Sequence, residues 1–176
     1  MLIAKTERLS LRQFVRADKE LLYELNSDPD VMRFIGDGHP ETREQLEAAT
    51  ERVLGYYDRG SLFGVWIAEL KDSRDPIGWF ALKPLPGAKE IEIGYRLSKR
   101  HWGRGYATEG ARCMVARGFN ETGLKRLVGV THPEAGLLYE GVMAYTSPVD
   151  GITRSVNLFA AASTERPALA GGNAPR

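Results

Sequence analysis

Cysteine is almost absent from this chain. Cys113 is the only one among 176 residues, so no disulfide can form within the chain, as is usual in a reducing compartment. Lysine and arginine exceed aspartate and glutamate by a single charge, 24 against 23, which argues against nucleic acid as a partner. No stretch approaches the roughly 20 apolar residues of a membrane span, and the first residues lack the apolar core of an export signal. These absences predict a cytoplasmic protein that binds neither nucleic acid nor membranes.

Histidine is scarce as well. His39, His101 and His132 show no ligand spacing such as H-x-x-x-H, so we predict no metal. His101 is expected at the surface. Cys113 lies on the apolar stripe of a predicted helix, where we expect a small core residue rather than a nucleophile.

The apolar residues that are present, 43% of the chain, are enough for the core of one domain. Their periodicity predicts strands at 8–14, 62–70, 77–84, 91–97, 125–132, 137–147 and 152–161, and helices at 18–27, 41–60 and 106–122. Three consecutive strands favour antiparallel pairing, and the later strand–helix–strand order favours a parallel crossover. We therefore predict an α/β or α+β fold, a mixed and mostly antiparallel sheet of about six to seven strands with helices on both faces. A single domain is expected over 1–161, followed by a mobile tail over 162–176 that is rich in Ala, Gly and Pro.

Two glycines, Gly103 and Gly105, lie where a predicted strand gives way to a helix, in the segment GYRLSKRHWGRGYATE. A helix N-terminus leaves about four backbone N–H groups unpaired and carries partial positive charge. Glycines let a phosphate approach such backbone closely, and Arg100 and Arg104 supply further charge. The segment therefore predicts a pyrophosphate site. The alternatives are a tight turn without a ligand and, for Arg104 and Lys99, solvated surface charges.

This segment matches neither of two common nucleotide-binding motifs. No P-loop string G-x-x-x-x-G-K-[ST] occurs, and a Rossmann fingerprint fails because Thr108 occupies its third small-residue position. Arg100, Gly103 and Gly105 instead match the pattern [R/Q]-x-x-G-x-[G/A]. With TERLSLRQF near the start, DPDVMRFIGDG, EIGYRL and GLLYEGV, this pattern makes the chain resemble GNAT-type N-acetyltransferases over about residues 5–160, most closely the RimJ/RimL-like branch.

The resemblance implies the acyl-CoA N-acyltransferase (GNAT) fold and acetyl-CoA as the acetyl donor. It also implies a primary amine as the acceptor, a protein N-terminus or a small molecule, which attacks directly in a ternary complex. Pantetheine would pair with the backbone of Tyr95, Arg96 and Leu97. The pyrophosphate would lie on N–H groups of the segment that contains Arg100, Gly103, Arg104, Gly105, Tyr106, Ala107 and Thr108. A CoA-binding module without activity is the alternative, and a homodimer is left open.

Acetyl transfer needs an uncharged amine, so a base must take a proton from it. Glu92 is the candidate, because a carboxylate within a predicted central strand is unusual unless it faces a wet cleft, and because members of the family often carry one there. Its alternatives are a cross-strand ion pair with Lys83 or Arg96, or plain solvent exposure. Trp79 and Phe80, on the neighbouring strand, are candidates for the acceptor groove, with the core as their alternative.

The chain departs from the family pattern between Glu134 and Ala135, where about one helix is absent. That helix usually carries the serine or tyrosine that protonates the leaving thiolate. Tyr139 is a weak substitute, so no general acid is assigned. Either the protein lacks this helix, or its residues are missing from this sequence. The second is favoured, because the predicted parallel crossover needs about a dozen residues and only about six are present.

Overall fold

The computed structural model describes residues 1–33, 35, 38–58, 60, 62–84, 91–122, 127, 129, 137–146 and 153–161, the last two ranges through their backbone. These residues form the strands β1 (Leu2–Lys5), β2 (Leu9–Gln13), β3 (Gly64–Leu70), β4 (Pro76–Pro84), β5 (Ile91–Leu97), β6 (Leu137–Thr146) and β7 (Thr153–Ala161). They also form the helices α1 (Lys19–Ser27), α2 (Pro29–Met32), α3 (Arg43–Tyr57) and α4 (Tyr106–Thr122). None of the helices in this part of the chain is long and apolar enough to cross a membrane.

The first five strands form one antiparallel sheet in chain order, and β6 and β7 pair as a separate antiparallel hairpin. The fold is therefore of the α+β class. The predicted parallel crossover depends on the strand expected at 125–132, of which only Leu127 and Gly129 are described. Leu127 is buried against α4, and a Cβ on Gly129 would lie 4.0 Å from the Ile93 carbonyl oxygen. The predicted tail, 162–176, lies outside the described residues.

The sheet separates two apolar cores. Successive residues of a strand point to opposite faces. In β3, Trp66 and Ala68 enter the first core, against α4, whereas Val65 and Ile67 enter the second, against α1 and α3. The helices contribute Met114, Val115 and Phe119 to the first core, and Leu21, Leu22, Leu25, Leu46 and Val53 to the second. The predicted helices on both faces are confirmed.

Local capping fixes where two of the helices begin. At the start of α3, the Gln45 N–H donates to Thr42 Oγ1 at 3.3 Å and the Thr42 N–H donates to Gln45 Oε1 at 2.8 Å, which is a capping box. Pro29 is the first residue of α2, and the carboxylate of Asp28 accepts the Asp30 N–H at 2.9 Å. The periodicity of the sequence predicts neither α2 nor β1.

The connection between β5 and α4 places the candidate site. Both elements have their predicted bounds, and a 3-10 turn (Lys99–His101) lies between them. The Trp102 Nε1–H donates to the Leu97 carbonyl at 2.7 Å. Gly110 allows α4 to approach β4 closely, since a Cβ there would lie 2.1 Å from the ring of Phe80. The N-terminus of α4 is thereby held at the carboxyl end of β5.

Candidate active site

Two left-handed residues form the turn before α4. Gly103 and Gly105 have φ angles of 71° and 78°, a region that favours glycine. The helix begins at the next residue, Tyr106, and the Glu109 N–H donates to the Gly105 carbonyl at 3.0 Å. The N–H groups before Glu109 have no acceptor within the helix. The turn therefore offers backbone donors at the positive end of a helix.

The two glycines differ in what surrounds them. A Cβ on Gly103 would meet nothing within 4 Å, whereas a Cβ on Gly105 would lie 3.4 Å from Arg8 Nη2. The backbone at Gly103 is thus open, and the backbone at Gly105 is backed by a cation. Open backbone, a helix N-terminus and nearby positive charge are the features that a diphosphate requires, so these residues fit one.

The three predicted cations of the turn have different partners. Arg100 Nη2 lies 3.4 Å from Asp75 Oδ1, and the ammonium of Lys99 pairs with the carboxylate of Asp30 at the start of α2. These ion pairs join exposed or partly exposed groups and contribute little stability. The Arg104 side chain makes no hydrogen bond or ion pair with any residue that the structure describes. Its charge is therefore the one that remains available to an anion.

His101 is buried, so the expectation of a surface histidine is wrong. The 3-10 turn carries its ring inward, 6.3 Å from the ring of Tyr106, and Nε2 accepts a hydrogen bond from Arg100 Nε at 3.0 Å. Burial and then the charge of Arg100 lower the pKa of His101 below the usual value of a histidine. The fold therefore favours the neutral imidazole more than the unfolded chain does, although the charge of Asp75 opposes this shift.

β5 presents different chemistry to the two faces of the sheet. Ile91, Ile93 and Tyr95 pack against the first core, under α4. By alternation, Glu92 and Arg96 face the side of α1 and α3. Trp79 of β4 and Gly94 of β5 lie on this same face. Phe80 points the other way and is fully buried in the first core, so its prediction as a groove residue is wrong.

The carboxylate of Glu92 pairs with the ammonium of Lys83, its direct partner across the strands, at 3.1 Å. Of the two ion pairs considered for Glu92, the structure contains this one and not the pair with Arg96. Lys83 contacts Oε2, whereas Oε1 lies toward Gly94, 3.6 Å from where a Cβ would be. A carboxylate has about four acceptor positions, so the ion pair leaves room for a second partner.

The side chain of Arg96 is tied to the helices of the second core. Its guanidinium lies over the Trp79 ring at 5.3 Å and donates to Asn26 Oδ1 at the end of α1. Asn26 Nδ2 in turn donates to Glu41 at 2.7 Å. Burial lowers the pKa of Arg96, and the charge of Glu41 opposes this shift. Trp79 is half-buried, and its Nε1 has no hydrogen-bond partner within the described structure.

Cys113 is half-buried against the first core, and burial raises the pKa of its thiol. A thiol of raised pKa is a poor nucleophile, which agrees with the predicted core role. Among the described residues, no group of three or more His, Cys, Asp or Glu side chains is placed to hold a metal. The side chain of Tyr139 and the junction of Glu134 with Ala135 lie outside the described residues.

Sequence reasoning missed the contacts that link distant segments to this site. Arg8 reaches the turn from the connection between β1 and β2, and Asn26 reaches Arg96 from α1. Their sequence separations are 96 and 70 residues. No short-range pattern carries such pairings, although the string TERLSLR does contain Arg8.

A family model described as an acetyltransferase (GNAT) domain matches residues 8–135. The chain is similar to the FsC-acetyl coenzyme A-N(2)-transacetylase of Aspergillus fumigatus, with 31% identity over 134 residues, 72% of this chain and 56% of that protein. It thus spans just over half of that relative. It is also 30% identical over 169 residues to YoaA, an uncharacterized N-acetyltransferase of Bacillus subtilis, which covers 89% of this chain and 94% of YoaA.

The fold of this chain is similar to those of solved acetyltransferase structures. An acetyltransferase from Agrobacterium tumefaciens superposes with a TM-score of 0.66 and 27% identity, covering 74% of both chains. RimL, a ribosomal alpha-N-protein acetyltransferase solved with coenzyme A, superposes with a TM-score of 0.63 and 15% identity, covering 90% of this chain and 96% of that one. At that identity, the second likeness concerns the fold alone.

Proposed function

Because the chain belongs to the GNAT acetyltransferase family, we propose that it moves the acetyl group of acetyl-CoA to a primary amine, which attacks while both substrates are bound. The observation that carries this proposal is the turn before α4. There, Gly103 and Gly105 leave the backbone bare at a helix N-terminus. Of the ligands that such a turn suits, a diphosphate fits the charge and the space best.

In this proposal, the diphosphate of acetyl-CoA lies on N–H groups between Arg100 and Thr108, and the free charge of Arg104 faces it. Pantetheine extends along the backbone of β5 at Tyr95, Arg96 and Leu97. These residues lie within the strand, so their extended backbone can pair with an extended ligand. The thioester is then brought to the middle of β5. Holding the two reactants together supplies much of the acceleration in such a reaction.

Glu92 is the proposed general base. Most aliphatic amines are protonated near pH 7 because their pKa lies close to 10, so the acceptor must lose a proton before it can attack. Glu92 Oε1, the oxygen not paired with Lys83, takes that proton directly or through water. Backbone N–H groups of β5 stabilise the negative charge that develops on the thioester oxygen.

The acceptor lies on the face of β5 that carries Glu92 and Trp79. Helices α1 and α3 cover this side of the sheet. The acceptor is either the α-amine of a protein N-terminus or the amine of a small molecule. The RimJ/RimL-like assignment, the cytoplasmic location and a homodimer remain predictions.

Thermal unfolding with and without acetyl-CoA tests the cofactor half of the proposal. A ligand present at about 100 times its Kd stabilises the native state by about 2.7 kcal/mol, so Tm should rise by several degrees. A Tm that does not change at millimolar acetyl-CoA would overturn the proposal.

Thiol release tests the chemical half. A panel of amines, including short peptides with a free N-terminus, should reveal an acceptor that releases CoA above the background rate. Cofactor binding without release for any amine would favour a CoA-binding module that lacks activity.

A further inference from the structure

Arg8, at the end of the connection between β1 and β2, joins three parts of the glycine turn. Its Nε donates to Glu109 Oε2 at 2.7 Å, and its Nη1 donates to the carbonyl oxygen of Arg104 at 2.9 Å. The guanidinium lies 4.5 Å from the centre of the Tyr106 ring. Arg8 thus contacts the turn before α4, the first residue of that helix and its first carboxylate.

Both oxygens of the Glu109 carboxylate accept hydrogen bonds from the same connection. Oε1 accepts hydrogen bonds from Thr6 Oγ1 and from the Arg8 N–H, and Oε2 accepts the Arg8 Nε–H. Burial raises the pKa of Glu109, but these hydrogen bonds outweigh it and hold the pKa below its usual value. A negative charge one helical turn from a diphosphate would repel it, and Arg8 neutralises that charge.

The bond to Arg104 sets the direction of a backbone donor. A peptide unit is planar and trans, so its C=O and N–H point in opposite directions. Because Arg8 holds the Arg104 carbonyl, the N–H of Gly105 in the same peptide unit points away from Arg8. The guanidinium also lies close to Gly105 itself, because a Cβ at this residue would be 3.4 Å from Arg8 Nη2.

We propose that Arg8 is a positioning residue for cofactor binding, which aims the Gly105 N–H at the diphosphate and cancels the charge of Glu109. This inference rests on the proposed acetyl-CoA site. It assigns a task to the connection between β1 and β2, which lies outside the glycine motif. Arg8 acts here through the backbone of the turn and not as a ligand of the 3′-phosphate.

Calorimetric titration with CoA, dephospho-CoA and pantetheine tests this task. Dephospho-CoA keeps the diphosphate and lacks the 3′-phosphate, and pantetheine lacks both. Arg8→Gln should raise the Kd of CoA and of dephospho-CoA by the same factor, about 10-fold or more, since a charge-assisted hydrogen bond is lost. Its Kd for pantetheine should stay unchanged.

Two further variants separate position from stability. Arg8→Lys keeps the charge but lacks the planar fork that reaches Glu109 and Arg104 together. Its Tm should therefore be closer to wild type than the Tm of Arg8→Gln, while its affinity for CoA stays weak. Arg16→Gln removes an exposed ion pair with Glu51 elsewhere on the surface, and its Kd values should match wild type.

The outcomes distinguish the inference from the function on which it rests. Wild-type protein that binds no CoA would overturn the proposed function. If wild type binds CoA and Arg8→Gln and Arg8→Lys bind it equally well, Arg8 has no positioning role. A loss confined to CoA and absent with dephospho-CoA would make Arg8 a direct ligand of the 3′-phosphate. An equal loss for pantetheine would reduce Arg8 to a general structural residue.

Discussion

Gly103 and Gly105 share a left-handed backbone, but their substitution should act through different atoms. The sequence suggests that a side chain at 105 would fill the space of the diphosphate. The structure instead directs a Cβ at Gly105 toward Arg8 Nη2, and directs a Cβ at Gly103 into open space. Gly103 thus leaves the backbone open to a ligand, whereas Gly105 allows the guanidinium of Arg8 to lie close to the backbone.

Gly105→Val should abolish CoA binding while the domain still folds. A branched side chain at φ of 78° is strained by about 1–2 kcal/mol, and it displaces Arg8 from the Arg104 carbonyl. Equilibrium unfolding and calorimetry measure the two effects separately. Wild-type CoA affinity in Gly105→Val would show that the diphosphate lies elsewhere.

Glu92→Gln should lower turnover by about 10²–10⁴-fold at neutral pH, with the Kd of acetyl-CoA nearly unchanged, because the amide cannot accept a proton. The loss should shrink at high pH, where more of the amine is already free. A pH–rate profile with the identified acceptor measures this dependence.

Lys83→Met is the matched comparison for Glu92, since it removes the other partner of the ion pair. A base role predicts that only Glu92→Gln shows the pH-dependent loss. Equal losses in both variants at every pH would assign Glu92 to structure.

At the scale of elements, Thr42 has the clearest single task, which is to cap α3. Thr42→Ala should lower the free energy of unfolding by about 1 kcal/mol, because the Gln45 N–H loses its acceptor. Thr42→Ser keeps the oxygen and serves as the control. Urea denaturation measures both, and a stable Thr42→Ala would mean that the capping box contributes nothing.

The sequence predicted some elements well because their own residues determine them. β5 alternates apolar and polar side chains, and α4 carries an apolar stripe, so both were located with their observed bounds. β1 is only four residues long and depends on pairing with β2, and α2 is too short to show a helical period. Likewise, the glycine turn follows from local sequence, whereas the contacts of Arg8 and Arg96 exist only once the chain has folded.

For the whole molecule, the stability of the fold should depend on pH in two steps. The pKa of His101 is lowered in the fold, so the unfolded chain binds more protons as pH falls below about 6.5, and stability decreases there. The pKa of Glu109 is also lowered, so its contribution is present above about pH 4 and is lost as pH falls further.

The free energy of unfolding, measured by denaturant titration between pH 4 and 8, checks the first step. His101→Phe should remove the decrease below pH 6.5, whereas His39→Gln should retain it. A decrease of the same size in His101→Phe would assign the step to other groups.

The two cores on opposite faces of the sheet have a consequence for how such proteins diversify. Neighbouring residues of β4 serve different cores, Phe80 under α4 and Trp79 under α1 and α3. Replacements among the partly exposed side chains of α1 and α3 should therefore reshape the proposed acceptor face while leaving the packing of α4 against the sheet in place. A lineage built in this way can exchange one amine for another by successive single substitutions, without passing through forms that have lost the donor. The same division marks the partly exposed side chains of α1 and α3, and not the buried residues of the second core, as the positions to randomise when a new acceptor is sought in the laboratory.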